Sequence, residues 1–213
     1  VFFRTNRHNR PKDRISVAAM APTDKLSGIP PAFVSTAIVK VIAVGLGFAL
    51  QHYKVDSLLL DSLYGGSTAK AEATVVGVVA AACFVGQYLA GCVARARSVH
   101  GLPIPFMYPD TGNKEAEVAN PAAFMAVVRG HENFMEFFPG FLAVLFCNTV
   151  FLKEPATAAT LGLVWVAARM IYAIGYASGN VKARAPGFFL SLISFFALTG
   201  NCAIFFAKAW RIL

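Results

Sequence analysis

Val128-Arg129-Gly130-His131-Glu132-Asn133-Phe134-Met135-Glu136-Phe137-Phe138-Pro139 is the stretch on which the reading of this chain turns. Arg129, Asn133 and Glu136 stand at i, i+4 and i+7, so a helix carries all three on one face. The residues around them are apolar enough to lie in a bilayer, where each ionisable group costs roughly 2.5–3.5 kcal/mol even on a lenient insertion scale. Such groups face a bundle interior or a water-filled cavity, and they mark function. This polar wall is therefore the candidate site.

The composition around it describes a polytopic membrane protein. Of 213 residues, 57% are hydrophobic and 14% charged, with a mean hydropathy of +0.59; a soluble domain carries about a quarter charged residues. Several stretches approach the ~20 apolar residues that a membrane helix needs. Cys83, Cys92, Cys147 and Cys202 all fall in apolar stretches without C-x-x-C spacing. They read as packing residues, with no disulfide framework and no metal site.

The net charge of +8 does not point to nucleic acid, because it is concentrated at one end. Arg4, Arg7, Arg10, Lys12 and Arg14 are opposed only by Asp13, and Ser16 to Ala21 follow. A segment so rich in arginine and poor in acid reads as an organelle transit sequence or its remnant, plastid or mitochondrial, with a chain that has been processed or truncated. A headgroup-binding arm on a protein of the endoplasmic reticulum is the alternative.

Three regions are expected: a basic arm over 1–28, an extension over 29–72, and a four-helix bundle over 73–213. In the extension, Ala32 to Leu50 is apolar except for Lys40 and predicts an extra helix, with Gly65-Gly66-Ser67 as the connector that follows. Ala73 to Val93 forms the first span of the bundle, closed by Arg95 and Arg97, with Ala82, Gly86 and Ala90 as a small-residue packing stripe. The polar wall lies on the second span, which Asn120 caps, Pro121 opens and Pro139 is expected to kink. The short Lys153-Glu154-Pro155 connection makes the next helix its antiparallel neighbour. That third span, Ala156 to Ser178, carries Arg169, Tyr172 and Tyr176 on a second polar face and stops at Gly179. Lys182 and Arg184 precede the last span, Gly187 to Ala207. Gly45-Leu46-Gly47 is helix-packing material; His52 and His131 are candidate haem or chlorophyll ligands, but a lone histidine on a membrane helix is more often a hydrogen-bonded packing residue.

An arginine-bearing face on each of two helices suits a small anionic or zwitterionic ligand, since guanidinium grips carboxylates bidentately and stays charged. Glu136 can accept an amine from the same ligand. A structural polar network between helices is the other reading of the same residues.

Pro105-Phe106-Met107-Tyr108, then Arg129-Gly130-His131-Glu132-Asn133 with Glu136 and Pro139, then Ala168-Arg169 with Tyr172, Gly175, Tyr176 and Gly179, together resemble the MAPEG family, most closely its microsomal glutathione transferase type three branch. The resemblance implies an all-α, four-helix transmembrane bundle, here with an additional N-terminal helix, assembled as a homotrimer that binds glutathione between subunits. Carried over, Arg129, Asn133 and Glu136 hold glutathione's ends with His131 beside them. Tyr172, Tyr176 and Arg169 line the other flank. Arg97 or Arg95 and Arg184 polarise the thiol for attack on a lipophilic electrophile or a lipid hydroperoxide. Val128, Met125 and Ala183 depart from the branch's polar pattern, and residues 29–72 have no counterpart in it. Those departures support a second expectation: a non-catalytic subunit recruited, with other membrane subunits, into a photosystem or respiratory assembly.

Overall fold

The computed structural model describes residues 31–110, 112–179 and 181–212; the basic arm lies outside the described residues. The described chain forms six α-helices: α1 (Pro31–His52), α2 (Val55–Tyr64), α3 (Thr68–His100), α4 (Pro121–Val150), α5 (Pro155–Ala177) and α6 (Ala185–Ala209). Short 3₁₀ turns, Lys114–Ala116 and Val181–Arg184, precede α4 and α6. Four helices, α3 to α6, are long and apolar enough to cross a membrane, and α1 with α2, bent 65° apart, makes a fifth if the pair counts as one span. The chain is an integral, all-helical membrane protein.

The helices begin and end on local signals. Asn120 caps α4 by accepting from the Ala123 amide at 3.0 Å, with Pro121 in the first position. Past the end of α5, Gly179 adopts φ +73, the left-handed conformation that glycine enters without a Cβ penalty. One boundary needs correction. The first bundle span is longer than Ala73 to Val93: α3 covers 33 residues, about 50 Å at 1.5 Å per residue, so it extends well beyond a ~30 Å hydrocarbon core. Pro139 lies inside α4, which is one helical segment from Pro121 to Val150.

Lipid offers no hydrophobic force between helices, so close approach and shape hold the bundle. Phe141 stacks on Trp165 at 3.8 Å between centroids, and Phe134 packs against the same indole. Gly86 of α3 faces the Phe134 ring, and a Cβ there would sit 3.1 Å from it, so the stripe expected in the sequence does admit a neighbour. Gly162 brings α5 equally close to Val78 and Leu145. Of the cysteines, Cys83 is exposed on the outer face of α3 rather than packed inside, and all four are free.

The extension is clasped to the bundle at one end. Gly47 of α1 meets Gly200 of α6 backbone to backbone, and no Cβ fits at either position, while Gly45 faces open space. Below that crossing, the Gln51 side-chain amide donates to the Asn201 carbonyl at 3.2 Å and Lys208 donates to Gln51 Oε1 at 2.7 Å. The Asp56 carboxylate of α2 accepts from the Thr157 amide at 2.7 Å, supplying from another helix the anion that the positive end of α5 favours. Fully buried Asn148 and Asn201 hydrogen-bond to each other at 2.8 Å, and Asn201 also donates to Glu154. Lys40 is exposed on α1.

Burial pushes the Glu154 carboxyl above the ordinary glutamate range, and Asp56 acts in the same direction, while Asn201 and Lys208 oppose them. The folded chain therefore holds this proton more tightly than the unfolded one. The resulting stabilisation is complete below the ordinary glutamate range and is lost as pH rises through the raised folded value. Glu154→Gln keeps an acceptor for Asn201 without the charge. It is expected to flatten that decline in thermal unfolding scans, run in micelles from acid to neutral pH.

Candidate functional site

At the end of the bundle opposite that clasp, α4 and α5 present the predicted polar residues in two neighbourhoods. Along α4, Arg129 is half-exposed and forms an ion pair with Glu132, three residues on, at 3.0 Å. The Tyr108 hydroxyl, from the loop after α3, donates to the other Glu132 oxygen at 2.6 Å. That carboxylate holds the Tyr108 phenol above its ordinary range. One turn further, the Asn133 amide donates to Glu136 at 3.2 Å and its oxygen accepts from Arg169 Nη1 at 2.6 Å. Asn133 thus joins the exposed Glu136 carboxylate to a guanidinium buried on α5.

Arg169 faces the bundle interior. It is 2% exposed and lies among aromatic faces, 4.2 Å over Phe137, 5.2 Å over Trp165 and 5.8 Å over Tyr172. Cation–π attraction and the Asn133 bond hold the charge there, while its Nε has no partner.

The second neighbourhood surrounds a cavity of about 410 Å³ between the start of α4 and the end of α5. Asn120, Ala123, Ala126, Tyr176, Ser178 and Arg184 are among the residues that line it. The Arg184 guanidinium lies 4.5 Å over the Tyr176 ring, and Tyr176 meets Tyr172 edge to face at 5.4 Å. The 3₁₀ turn bearing Arg184 is pinned by Gly175: a Cβ there would lie 2.5 Å from the Ala183 carbonyl oxygen. Gly187 does the same at the start of α6, against the Ala168 carbonyl and the Tyr172 amide. Two glycines therefore fix where Arg184 sits relative to the tyrosines.

Arg129, Asn133 and Glu136 lie on the wall beside this cavity rather than in its lining, with Arg129 within electrostatic reach of both Glu136 and Tyr176. Arg97 is directed elsewhere: it donates to the carbonyls of Pro103, at 3.2 Å, and Phe106, tying the loop after α3 to its own helix end. Arg95 is exposed and His131 half-buried; neither lines the cavity. No three His, Cys, Asp or Glu side chains among the described residues are placed to hold a metal. Glu132 and Tyr108 were missed as site residues by sequence reasoning, although the i, i+3 spacing of Arg129 and Glu132 was a usable signal for the first.

The MAPEG family model matches residues 75–204 of this chain. Microsomal glutathione S-transferase 2 of Mus musculus is 34% identical over 106 residues, 50% of this chain and 63% of that protein. Leukotriene C4 synthase of Cavia porcellus is 34% identical over 116 residues, 54% of this chain and 66% of that protein. An uncharacterized protein of Synechocystis is 34% identical over 102 residues, 48% of this chain and 65% of its own length. In each case the match spans just under two thirds of the relative.

Proposed function

This chain belongs to the MAPEG family, and from that premise we propose that it is a membrane-bound glutathione transferase with peroxidase capacity. The observation that carries the proposal is Arg184 placed over Tyr176 at the mouth of a 410 Å³ cavity, a volume within the range of small-molecule sites. Glutathione brings two carboxylates, an ammonium group and a thiol. Arg129 takes a carboxylate, Glu136 takes the ammonium, and Asn133 holds Glu136 in place from the buried Arg169. Tyr172 and Tyr176 flank the peptide.

Thiolate is the reactive form, and a guanidinium beside the sulfur favours it by stabilising its charge. Arg184 fills that role, because Arg97 is engaged with loop carbonyls. The sulfur then attacks an electrophilic carbon, forming the thioether as the leaving group departs. With a lipid hydroperoxide it attacks the terminal oxygen instead. The O–O bond breaks, the alcohol leaves, and a second glutathione converts the sulfenic acid to disulfide and water. A homotrimer suits the geometry, since a neighbouring copy against the exposed strip of α4 would close the wall formed by Arg129 and Glu136.

Purified protein in micelles is expected to conjugate glutathione to chlorodinitrobenzene. Hydrogen bonds to charged groups are worth about 1.5–3 kcal/mol, so Arg129→Ala is expected to raise the KM for glutathione by roughly 10- to 100-fold. Equal rates for wild type, Arg129→Ala and glutathione alone would remove the proposal.

A second reading, a non-catalytic subunit of a large organellar complex, is favoured by one feature: the α1–α2 pair clasped across α6 and α5 adds an outer face to the bundle. Native stoichiometry separates the two. Three identical copies retaining glutathione support the enzyme; one copy among unlike subunits supports recruitment.

A further inference from the structure

Because α1 and α6 touch at Gly47 and Gly200, they leave a wedge between them on the side towards their N-termini. That wedge is a cleft of about 200 Å³ lined by Val39, Ile42, Phe189, Leu192, Ile193 and Phe196, all apolar. Phe189 also lines a second cleft, of about 410 Å³, whose other walls include Tyr172, Lys182, Arg184 and Phe188. The two clefts share Phe189 as a common wall and make a groove in two parts, a cationic mouth and an apolar tail, and among the described residues no acidic side chain lines either part. From Ala185 to Phe196 the helix rises about 16 Å at 1.5 Å per residue, which matches one leaflet, half of a ~30 Å hydrocarbon core.

We propose that this groove binds one anionic phospholipid, its headgroup phosphate at Lys182 and Arg184 and one acyl chain laid along α6 under α1. The charge at the mouth selects the lipid, because an acyl chain gains little by leaving the bilayer for an equally apolar cleft. The wedge then fixes where that lipid sits. The mouth adjoins the proposed glutathione site through Arg184, but the groove depends on α1 and stands without that activity.

The test uses the full chain in bilayers of phosphatidylcholine with a minor share of phosphatidylglycerol, followed by gentle extraction and native mass spectrometry of the retained lipid. One phosphatidylglycerol per chain, enriched over its share of the bilayer, is expected. A basic residue near a membrane surface changes affinity for anionic lipid about fivefold, so Lys182→Glu is expected to lower the enrichment by at least that factor. Leu192→Trp fills the wedge and is expected to abolish retention; Ile42→Phe does so from the facing helix if the first variant fails to fold. Retention in proportion to the bilayer, enrichment indifferent to Lys182→Glu, or capture of free fatty acid in place of phospholipid each overturns the proposal. The readout needs no glutathione turnover, so this inference and the transferase reading fail separately.

Discussion

Arg184→Ala is expected to lower kcat/KM for glutathione conjugation by about 10²–10³-fold, the usual consequence of removing one preorganised group that stabilises developing anionic charge. The loss should fall mainly on kcat, because the thiolate is what the guanidinium favours, whereas Arg129 governs KM. A pH profile separates the roles. Without the Arg184 cation the bound thiol titrates higher, so the activity limb moves to more alkaline pH, and Arg184→Lys restores some of the shift. An unchanged profile with a depressed rate would reduce Arg184 to a structural partner of Tyr176.

Gly187→Leu is expected to break the packing of α6 on α5. A Cβ at this position would collide with the Tyr172 amide nitrogen and lie 2.5 Å from the Ala168 carbonyl oxygen. Ordinary overpacking costs about 1–3 kcal/mol because side chains can move aside. Here the obstacles are backbone atoms of α5, so α6 must separate from α5 and the cost exceeds that range. Thermal unfolding in micelles should show a large loss, and Tyr172 and Arg184 should lose their relative placement. Gly91→Leu, at a position with open space around it, is expected to unfold like wild type.

The bundle was legible because its signals are local. Asn120 and Pro121 start α4, Gly179 ends α5, and four apolar runs have the length of a bilayer. The polar wall was legible as a face, since Arg129, Asn133 and Glu136 share a helical side whatever their partners are. Partner choice was not. Spacing permits the Arg129–Glu132 pair but cannot say that Tyr108 joins it or that Arg97 folds back onto Pro103 and Phe106.

Nor does hydropathy separate a residue facing lipid from one facing another helix, which is how Cys83 was assigned the wrong surroundings. Asn148 and Asn201 were overlooked for a related reason. Each is a lone amide in an apolar run, and only the juxtaposition of α4 and α6 shows that they bind each other.

The clasp between Gln51 and Asn201 joins residues 150 positions apart. Ribosomal synthesis delivers the earlier of them long before the other exists. Until α6 emerges, α1 must wait at the insertion machinery beside strangers, its glycine seam open to any neighbour. Its docking therefore waits for α6, and nascent chains arrested before that helix emerges should be the ones that quality-control proteases find first.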